Sequence, residues 1–563
     1  MRELTNNEIQ QMEQQGCRCS DWSLISVADD FNAADVTATR FEGAVSIGSN
    51  TVIDHVGLIR TTDDASYGEG SVISVLNEAG DGNVVIFSAL TSQLAALMVG
   101  RSDDSAFTER IQAMAIAEAE AMRPAQTTIG SGVTLSYIRE LTNVNISDGC
   151  EINGAARLTE CTLRSTPEAS IYVGDGVICD NTVIQAGASV TDGARVYNSF
   201  IGEACHVGRG FTSENSIFFA NSHMDNGESC AAFCGPFSVS HHKSSLLIGG
   251  MYSFYNAGSG TNFSNHAYKI GPIHYGTLER GSKTASGSHT LWPAQVGTFS
   301  MVMGKVQSHP DTRMLPFSYL IAQQDATYCV PGRNLTTVGT YRDINKWPKR
   351  DRRARSCKQS LIQYDWLSPL VIGECLKGRQ LLKQLKQEQG EQVASYAING
   401  VTIRNTSLQR GLRFYDLAIR LAIYDALKDH EAALPTVAAG TGDWTDLAGM
   451  LAPASEIDTL VDDIRRGEVC DITDVADTLC DIHDRYQEYK WTWAYTLILD
   501  YCHLDSITEL DRQRILTECA AARQEWLTAI RYDAEREFSM GDVDEQTLNG
   551  FLRTIDTEML KIQ

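Results

Sequence analysis

Small apolar residues recur at about every sixth position through the first half of the chain, separated by Gly, Asn, Asp or Ser. The pattern opens at Ile47-Gly48-Ser49-Asn50-Thr51-Val52, passes through Ile53 to Ile59, and returns at Val144, Ile146, Ile152 and Leu158. It is clearest at Ile171, Val177 and Val183, then continues after a one-residue change of phase through Val190, Val196, Ile201 and Val207. Neither the two-residue alternation of a half-buried strand nor the 3.6 period of a helix fits it. A repeat of this kind cannot bury one face alone. Three short strands joined by tight turns make a coil of about 18 residues, and stacked coils share one continuous interior. The expected fold class is therefore a mainly β solenoid with added α structure. Residues 40–310, less an interruption at about 78–125, supply on the order of 12 coils at about 4.8 Å each. Glycines such as Gly48, Gly174, Gly187, Gly202 and Gly208 are expected where a corner needs positive φ or backbones approach closely.

The interruption changes pattern. Val84-Val85-Ile86-Phe87 reads as a strand, Leu90, Leu94, Leu97 and Met98 follow at helical spacing, and a second helix is predicted from about Ser105 to Met122, before Pro124. Another helix, Leu4 to Gln15, carries Thr5 and Glu8 at capping-box spacing. Beyond residue 310 the repeat fades, and from about 369 the period becomes helical. Leu370, Cys375, Leu376, Leu381, Leu382 and Leu385 mark one helix; Asn399-Gly400 marks a hairpin turn; helices follow at about 411–429, 455–465, 474–498, 507–534 and 545–559. The predicted organisation is an entry segment 1–39, a repeat domain 40–330 with its insertion, a basic linker 331–368 and a helical domain 369–563.

Composition narrows the function classes. With 43% hydrophobic residues, 21% charged residues and 12 prolines, the chain is a folded protein rather than a disordered or collagenous one. Of the net charge of -24, residues 451–563 supply more than half, whereas residues 331–360 are basic and include Lys349-Arg350-Asp351-Arg352-Arg353. The acidic remainder argues against nucleic acid as a partner, and the basic stretch reads as a solvated linker or an internal ion-pair partner. The chain shows neither the apolar stretch of a signal peptide nor a window long enough to span a membrane, so no membrane partner and a cytoplasmic location are expected. The 15 cysteines, odd in number and without paired CxxC units, read as buried reduced thiols.

The six-residue pattern, exemplified by Val173-Gly174-Asp175-Gly176-Val177-Ile178-Cys179-Asp180-Asn181-Thr182-Val183-Ile184, resembles the hexapeptide-repeat family of left-handed parallel β-helices. The resemblance covers about 220 residues by this pattern, and the handedness comes with it. The longer arrangement of opening helix, insertion, His- and Asn-rich stretch and helical tail resembles an uncharacterised Bacteroides-type family of bacterial proteins. Many hexapeptide-repeat proteins are trimeric acyltransferases that seat acyl-coenzyme A between neighbouring prisms, with a histidine activating a hydroxyl or amine of a sugar or amino acid. Others are γ-class carbonic anhydrases holding zinc by three histidines, or assembly platforms. The resemblance thus implies an acyl-coenzyme A dependent O- or N-acyltransferase acting on a sugar or sugar nucleotide, with acetyl-coenzyme A or another acyl donor as cofactor and a homo-oligomer, a trimer, as the assembly. A noncatalytic ligand-binding or assembly protein is the alternative, and a zinc enzyme a further one. No Gly-rich nucleotidyltransferase domain precedes the repeat, which argues against a pyrophosphorylase.

Histidine is the chemical clue. Eight of the 12 lie between residues 206 and 309: His206, His223, His241, His242, His266, His274, His289 and His309. Near-coil spacing would stack His206, His223 and His241 on one side, as a structural ladder or as an open three-imidazole zinc site, although no confident metal is expected. A neutral imidazole accepts a proton from an attacking hydroxyl or amine, and an Asn can hold its second nitrogen. His266, in the polar stretch Ser259-Gly260-Thr261-Asn262-Phe263-Ser264-Asn265-His266, is the favoured base, with His241 and Asn265 as further catalytic candidates. His242, Lys243, Asn221, Asn262 and His274 are the candidate substrate contacts, and Arg280 and Lys283 can meet an anionic sugar or a coenzyme A phosphate. Each has a structural reading as a corner, surface or stacking residue. The aromatic residues interleaved here, from Phe211 to Tyr275, are too many for a narrow interior and are expected partly to face other elements.

Overall fold

A computed structural model describes residues 1–264, 274–430, 434–541 and 543–562. It is rich in long parallel sheets and, among the described residues, has eleven α-helices. The chain packs as two compact units: Met1–Thr277 with Asp351–Leu361 and Asp462–Ala476, and Leu278–Arg350 with Ile362–Val461 and Asp477–Gln563.

In the first unit, short strands pair in parallel with the strand one repeat later. Three ladders run through the chain, seen where Val45 pairs Thr127, Val52 pairs Thr134 and Ile59 pairs Leu141. The register step is mostly 17 residues, as from Ile178 to Arg195 and from His206 to His223. It widens to 21 between Arg157 and Ile178, where Thr166 and Ala169 form a local bridge that absorbs the extra chain. Every repeat position from Ile47 and Ile53 through Ile171, Val177, Val190 and Val207 is fully buried, whereas Val52, one position out of phase, is exposed. The apolar period therefore marks the interior directly.

Corners use asparagine as much as glycine. Successive ladder positions Asn143, Glu160, Asn181, Asn198, Asn215 and Ala231 all have positive φ, and the Asn181 side-chain amide donates to Asn198 Oδ1 at 2.9 Å. Asn tolerates the left-handed region because its short side chain bonds locally. Gly48 and Gly202 serve close approach instead: a Cβ there would lie 2.5 Å from Gly130 C and 2.8 Å from Phe218 O.

The interruption is a hairpin, Ser71–Asn77 with Asp81–Ile86, followed by helices Ser92–Gly100 and Ser105–Met122. Polar bonds fasten it to the ladders: Glu160 Oε2 accepts from the Ser66 and Tyr67 amides, each at 2.7 Å, and the Gln185 amide donates to Ser88 O and Leu90 O. Most of the aromatic residues expected partly to pack against other elements are buried. Phe211, Phe218, Phe219, Phe233, Phe237, Tyr252, Phe254, Tyr255 and Phe263 are all buried. They fit by ring stacking, Phe237 on Phe254 at 5.4 Å along the ladder direction and Tyr252 on Phe263 at 5.3 Å between different strands. The opening helix is Asn6–Gln14 with the Thr5/Glu8 capping box formed.

The second unit has its own parallel pairing, Met301–Met303 with Tyr319–Gln323, which then folds back as a hairpin with Ala326–Val330. The hairpin at Asn399-Gly400 is present. Helices Pro369–Gln389, Asn405–Asp429, Glu509–Met540 and Glu545–Leu560 match the predicted series. Two expectations change. Residues Val338–Arg350 of the basic stretch form a helix rather than a linker, because Tyr341, Ile344 and Trp347 supply a buried stripe. The single helix expected at 474–498 is two, Ile472–Asp484 and Tyr486–Cys502, interrupted at Arg485. None of the described helices is long and apolar enough to cross a membrane.

The asparagine corner yields a direct test. Asn198→Ala removes both a side-chain bond and a residue suited to φ 44°, and is expected to destabilise the protein by about 1–2 kcal/mol. Asn198→Gly, which keeps the backbone freedom, should cost less in the same urea titration.

Candidate histidine and carboxylate site

The uninterrupted 17-residue step carries the sequence's histidine spacing into space. Ser189, His206 and His223 are consecutive ladder partners, and so are Gly208 and Asp225 two residues further along the same strands. Because side chains alternate across a strand, residues two apart share a face. His206, His223, Gly208 and Asp225 therefore converge on one side of the ladder. The rings of His206 and His223 are 4.5 Å apart, and those of His223 and His241 are 4.4 Å apart. The predicted imidazole stack is formed.

What the spacing argument missed is Asp225. Its residue surface is 3% exposed. His206 Nε2 stands 3.3 Å from Oδ1, His223 Nε2 stands 3.1 Å from Oδ2, and the exposed Arg209 Nε is 3.6 Å from Oδ2. Oδ1 is buried and accepts no hydrogen bond. The far side of His206 is fixed by a 2.8 Å bond between Nδ1 and Ser189 Oγ. Among the described residues, His206, His223 and Asp225 form a group whose ligand atoms all lie within 4.8 Å of one another. The carboxylate takes the converging position that the sequence reading assigned to His241. The H-x-D pattern at 223–225 was the available signal.

Burial lowers the His206 pKa, and the neighbouring His223 lowers it further against the opposing pull of Asp225. Burial, then His223, push His241 down to about 4. These imidazoles are thus neutral near pH 7. His241, His242 and Lys243 form an exposed segment continuing from the stack, with the His241 and His242 rings 6.4 Å apart.

The other expected site residues go elsewhere. His266 and Asn265 lie outside the described residues. Asn221 is a tie rather than a free contact: its amide donates to Asp351 Oδ1 at 3.0 Å and its oxygen accepts from the Arg352 amide at 2.8 Å. The same segment is held by Glu203, whose oxygens accept from the Gln359 and Ser360 amides, and by Arg353, which donates to Asp351 and to Ser360 O. The basic residues here are internal partners, as one reading of the sequence had it. Asn262 lies on strand Asn262–Ser264 with Oδ1 buried and without a hydrogen bond, and His274 is half-buried.

In the second unit Arg280 is a buried clamp: Nε meets Asp446 Oδ2 at 2.7 Å, and its two terminal nitrogens donate to Gln363 O and Gly449 O at 2.7 and 2.8 Å. Lys283 is paired with Asp343, which also holds Lys346. Neither side chain is presented to a phosphate. His289 is half-buried, and burial lowers its pKa. A separate cavity of about 420 Å³ is lined by Arg313, Glu374, Lys377 and Trp444 among others. Burial raises the pKa of both Glu374 and its neighbour Glu279, each further opposed to ionisation by the other carboxylates around it.

The family model described as "Domain of unknown function (DUF4954)" matches residues 1–51 and 45–386, and one described as "Domain of unknown function (DUF6819)" matches residues 428–546. An "Uncharacterized protein" of Treponema pallidum (strain Nichols) is 22% identical over 571 residues, covering 83% of this chain and 78% of the relative.

Two outcomes follow. Arg280→Ala leaves Asp446 and two carbonyls without their partner and is expected to cost about 3–5 kcal/mol, read as a shift of the urea midpoint. For Glu279 and Glu374 the folded-state pKa lies above the unfolded one, so the folded state holds the proton more tightly. Stability is then greatest below the ordinary carboxylate range and falls as pH rises through the raised values; Glu279→Gln should flatten that slope in pH-dependent melts.

Proposed function

The chain belongs to the DUF4954 family, and we propose, from the resemblance of its repeat and the histidine stack, that it is an acyl-coenzyme A dependent O- or N-acyltransferase acting on a sugar or sugar nucleotide. In this reading the parallel ladders are coils of a left-handed β-helix of the hexapeptide-repeat kind. The observation that carries it is the stack of His206, His223 and His241 on one face of the ladders, ending at an exposed, neutral imidazole. The resemblance of the repeat supplies the reaction class, and the stack supplies the proton acceptor.

The roles are as follows. A hydroxyl or amine of the acceptor attacks the thioester carbonyl, and His241 takes its proton. The carbon–sulfur bond breaks as the new carbon–oxygen or carbon–nitrogen bond remains, and His241 returns the proton to the coenzyme A thiolate. His242 and Lys243 lie beside it to meet acceptor hydroxyls or phosphate. His266 and Asn265 remain candidates for the same chemistry. Arg280 and Lys283 do not, because their internal ion pairs occupy them. The cytoplasm suits an enzyme of this class and the 15 free cysteines, and the assembly is a homo-oligomer, a trimer by likeness to the repeat family.

A second reading, a noncatalytic ligand-binding or assembly platform, is favoured by one observation: Asn221, Arg280 and Lys283 are all closed by internal bonds. Native mass spectrometry with acetyl-coenzyme A and a panel of sugar nucleotides separates the two. Transfer predicts retained acetyl-coenzyme A and an acetylated product, with product formation reduced about 10²–10⁴-fold in His241→Ala. Retention of a sugar ligand without any transfer supports the platform and overturns the enzyme.

A further inference from the structure

We propose that His206, His223 and Asp225 hold a divalent first-row transition-metal ion. The inference does not depend on acyl transfer. It begins from a carboxylate that the protein alone does not satisfy. Buried polar groups in folded proteins are almost always hydrogen-bonded, and a buried charge without full pairing is costly. Asp225 is 3% exposed, and its Oδ1 has no hydrogen bond although two imidazole nitrogens lie beside the carboxylate. Its Oδ2 accepts from His223 Nε2 at 3.1 Å and faces Arg209, so Oδ1 is the open atom, whereas the buried acid Glu203 in the same unit accepts from backbone amides on both oxygens.

The geometry fits an ion. Ligands at about 2.05 Å in a tetrahedral arrangement are about 3.3 Å from one another. His206 Nε2 is 3.3 Å from Oδ1 and His223 Nε2 is 3.1 Å from Oδ2, and one ligand atom from each of the three residues lies within 4.8 Å of the others. All three residues come from one chain and from consecutive ladder steps, so no neighbouring subunit is needed. Two imidazoles and one carboxylate form a mixed nitrogen and oxygen set of the kind that suits zinc, iron or cobalt rather than calcium or magnesium. The Ser189 Oγ contact to His206 Nδ1, at 2.8 Å, is the outer bond that metal-bound imidazoles use to fix the ring and its tautomer.

Gly208 makes the room. A Cβ at this position would lie 2.7 Å from His206 Nε2, 2.7 Å from Thr191 Oγ1 and 3.2 Å from Asp225 Oδ1. The space at Gly208 is thus too tight for a methyl group and is bordered by an imidazole nitrogen, a hydroxyl and the unbonded carboxylate oxygen. Any side chain other than glycine would intrude on it. Thr191 is placed to hold a water or a substrate oxygen in a fourth position, which would leave the ion open to chemistry. The contact opposing the inference is Arg209, whose cation stands 3.6 Å from Oδ2; its side chain is 65% exposed and can turn into solvent.

The test is metal binding by the intact protein after chelator treatment and dialysis, titrated with Zn²⁺ by calorimetry and with Co²⁺ by visible absorption. The wild type should take up one equivalent with a spectrum of nitrogen and oxygen ligation. Asp225→Asn, nearly the same shape, should weaken binding by more than the roughly 10- to 100-fold that loss of an outer partner costs. Gly208→Ala should do the same while keeping every ligand, and Arg209→Ala should bind at least as tightly as the wild type. Melting curves confirm that each variant folds. The proposal is overturned if the wild type binds no ion, if Asp225→Asn binds as well as the wild type, or if Co²⁺ shows thiolate bands, which would place the ion on one of the free cysteines.

Discussion

A parallel register that repeats about every 17 residues, mostly within one residue of that step, is the constraint from which most of the first unit follows. Parallel pairing at a fixed step places chemically related residues directly above one another, and the fold must make each column tolerable. Apolar columns become the interior. Asparagine columns become corners, because Asn accepts positive φ and bonds to the Asn above it. Phenylalanine also occupies left-handed corners at Phe237 and Phe254, where one ring stacks on the next and the contact offsets the backbone cost. A column of histidines has no such easy solution. Burial, then the neighbouring imidazole of His223, lowers the pKa of both His206 and His241.

Departures from the register are handled by local compensation. The four extra residues between Arg157 and Ile178 are taken up in the Thr166/Ala169 bridge, after which the step returns to 17 and the columns resume. The inserted hairpin and helices are held by side chains from the ladders, notably Glu160 and Gln185, that accept from or donate to its backbone. These are groups a loop cannot satisfy internally once it is buried, so each bond fixes the insertion in one place. Residues 351–361 are held to the first unit in the same way through Glu203, Asn221 and Arg353.

The sequence was legible where the structure repeats a local rule. The six-residue apolar pattern identified the interior at every position it named except Val52, and the Thr5/Glu8 cap and the Asn399-Gly400 turn formed as their spacing required. The histidine stack was legible because the step between paired strands is nearly constant. Asp225 was not. It became part of the site only through alternation along His223–Asp225 combined with the glycine at 208 on the paired strand, a coincidence of two strands. Arg280 misled in the opposite sense: its positive charge near histidines resembled a phosphate contact, but its partners, Asp446, Gln363 and Gly449, lie far away in sequence. The helix at Val338–Arg350 was hidden by charge, since its buried stripe is only three aromatic and aliphatic residues among many basic ones.

Polar satisfaction also separates structural chemistry from candidate functional chemistry in this protein. Arg280, Glu203 and Asp351 are buried or nearly so, and each meets a full set of partners; for Asp351, burial opposes ionisation, but bonds from Arg353, Lys358 and Asn221 outweigh it and lower its pKa. Such groups hold segments in place and have nothing left to offer a ligand. Asp225 has equal burial and a coordination oxygen to spare, on a face where two imidazoles are half-exposed and the next side chain is missing because it is glycine. A fold selected only for stability would gain by giving Oδ1 a donor, since an unmet buried acceptor costs about 1–3 kcal/mol. That the ladder does not is the physical ground for placing its chemistry at this face.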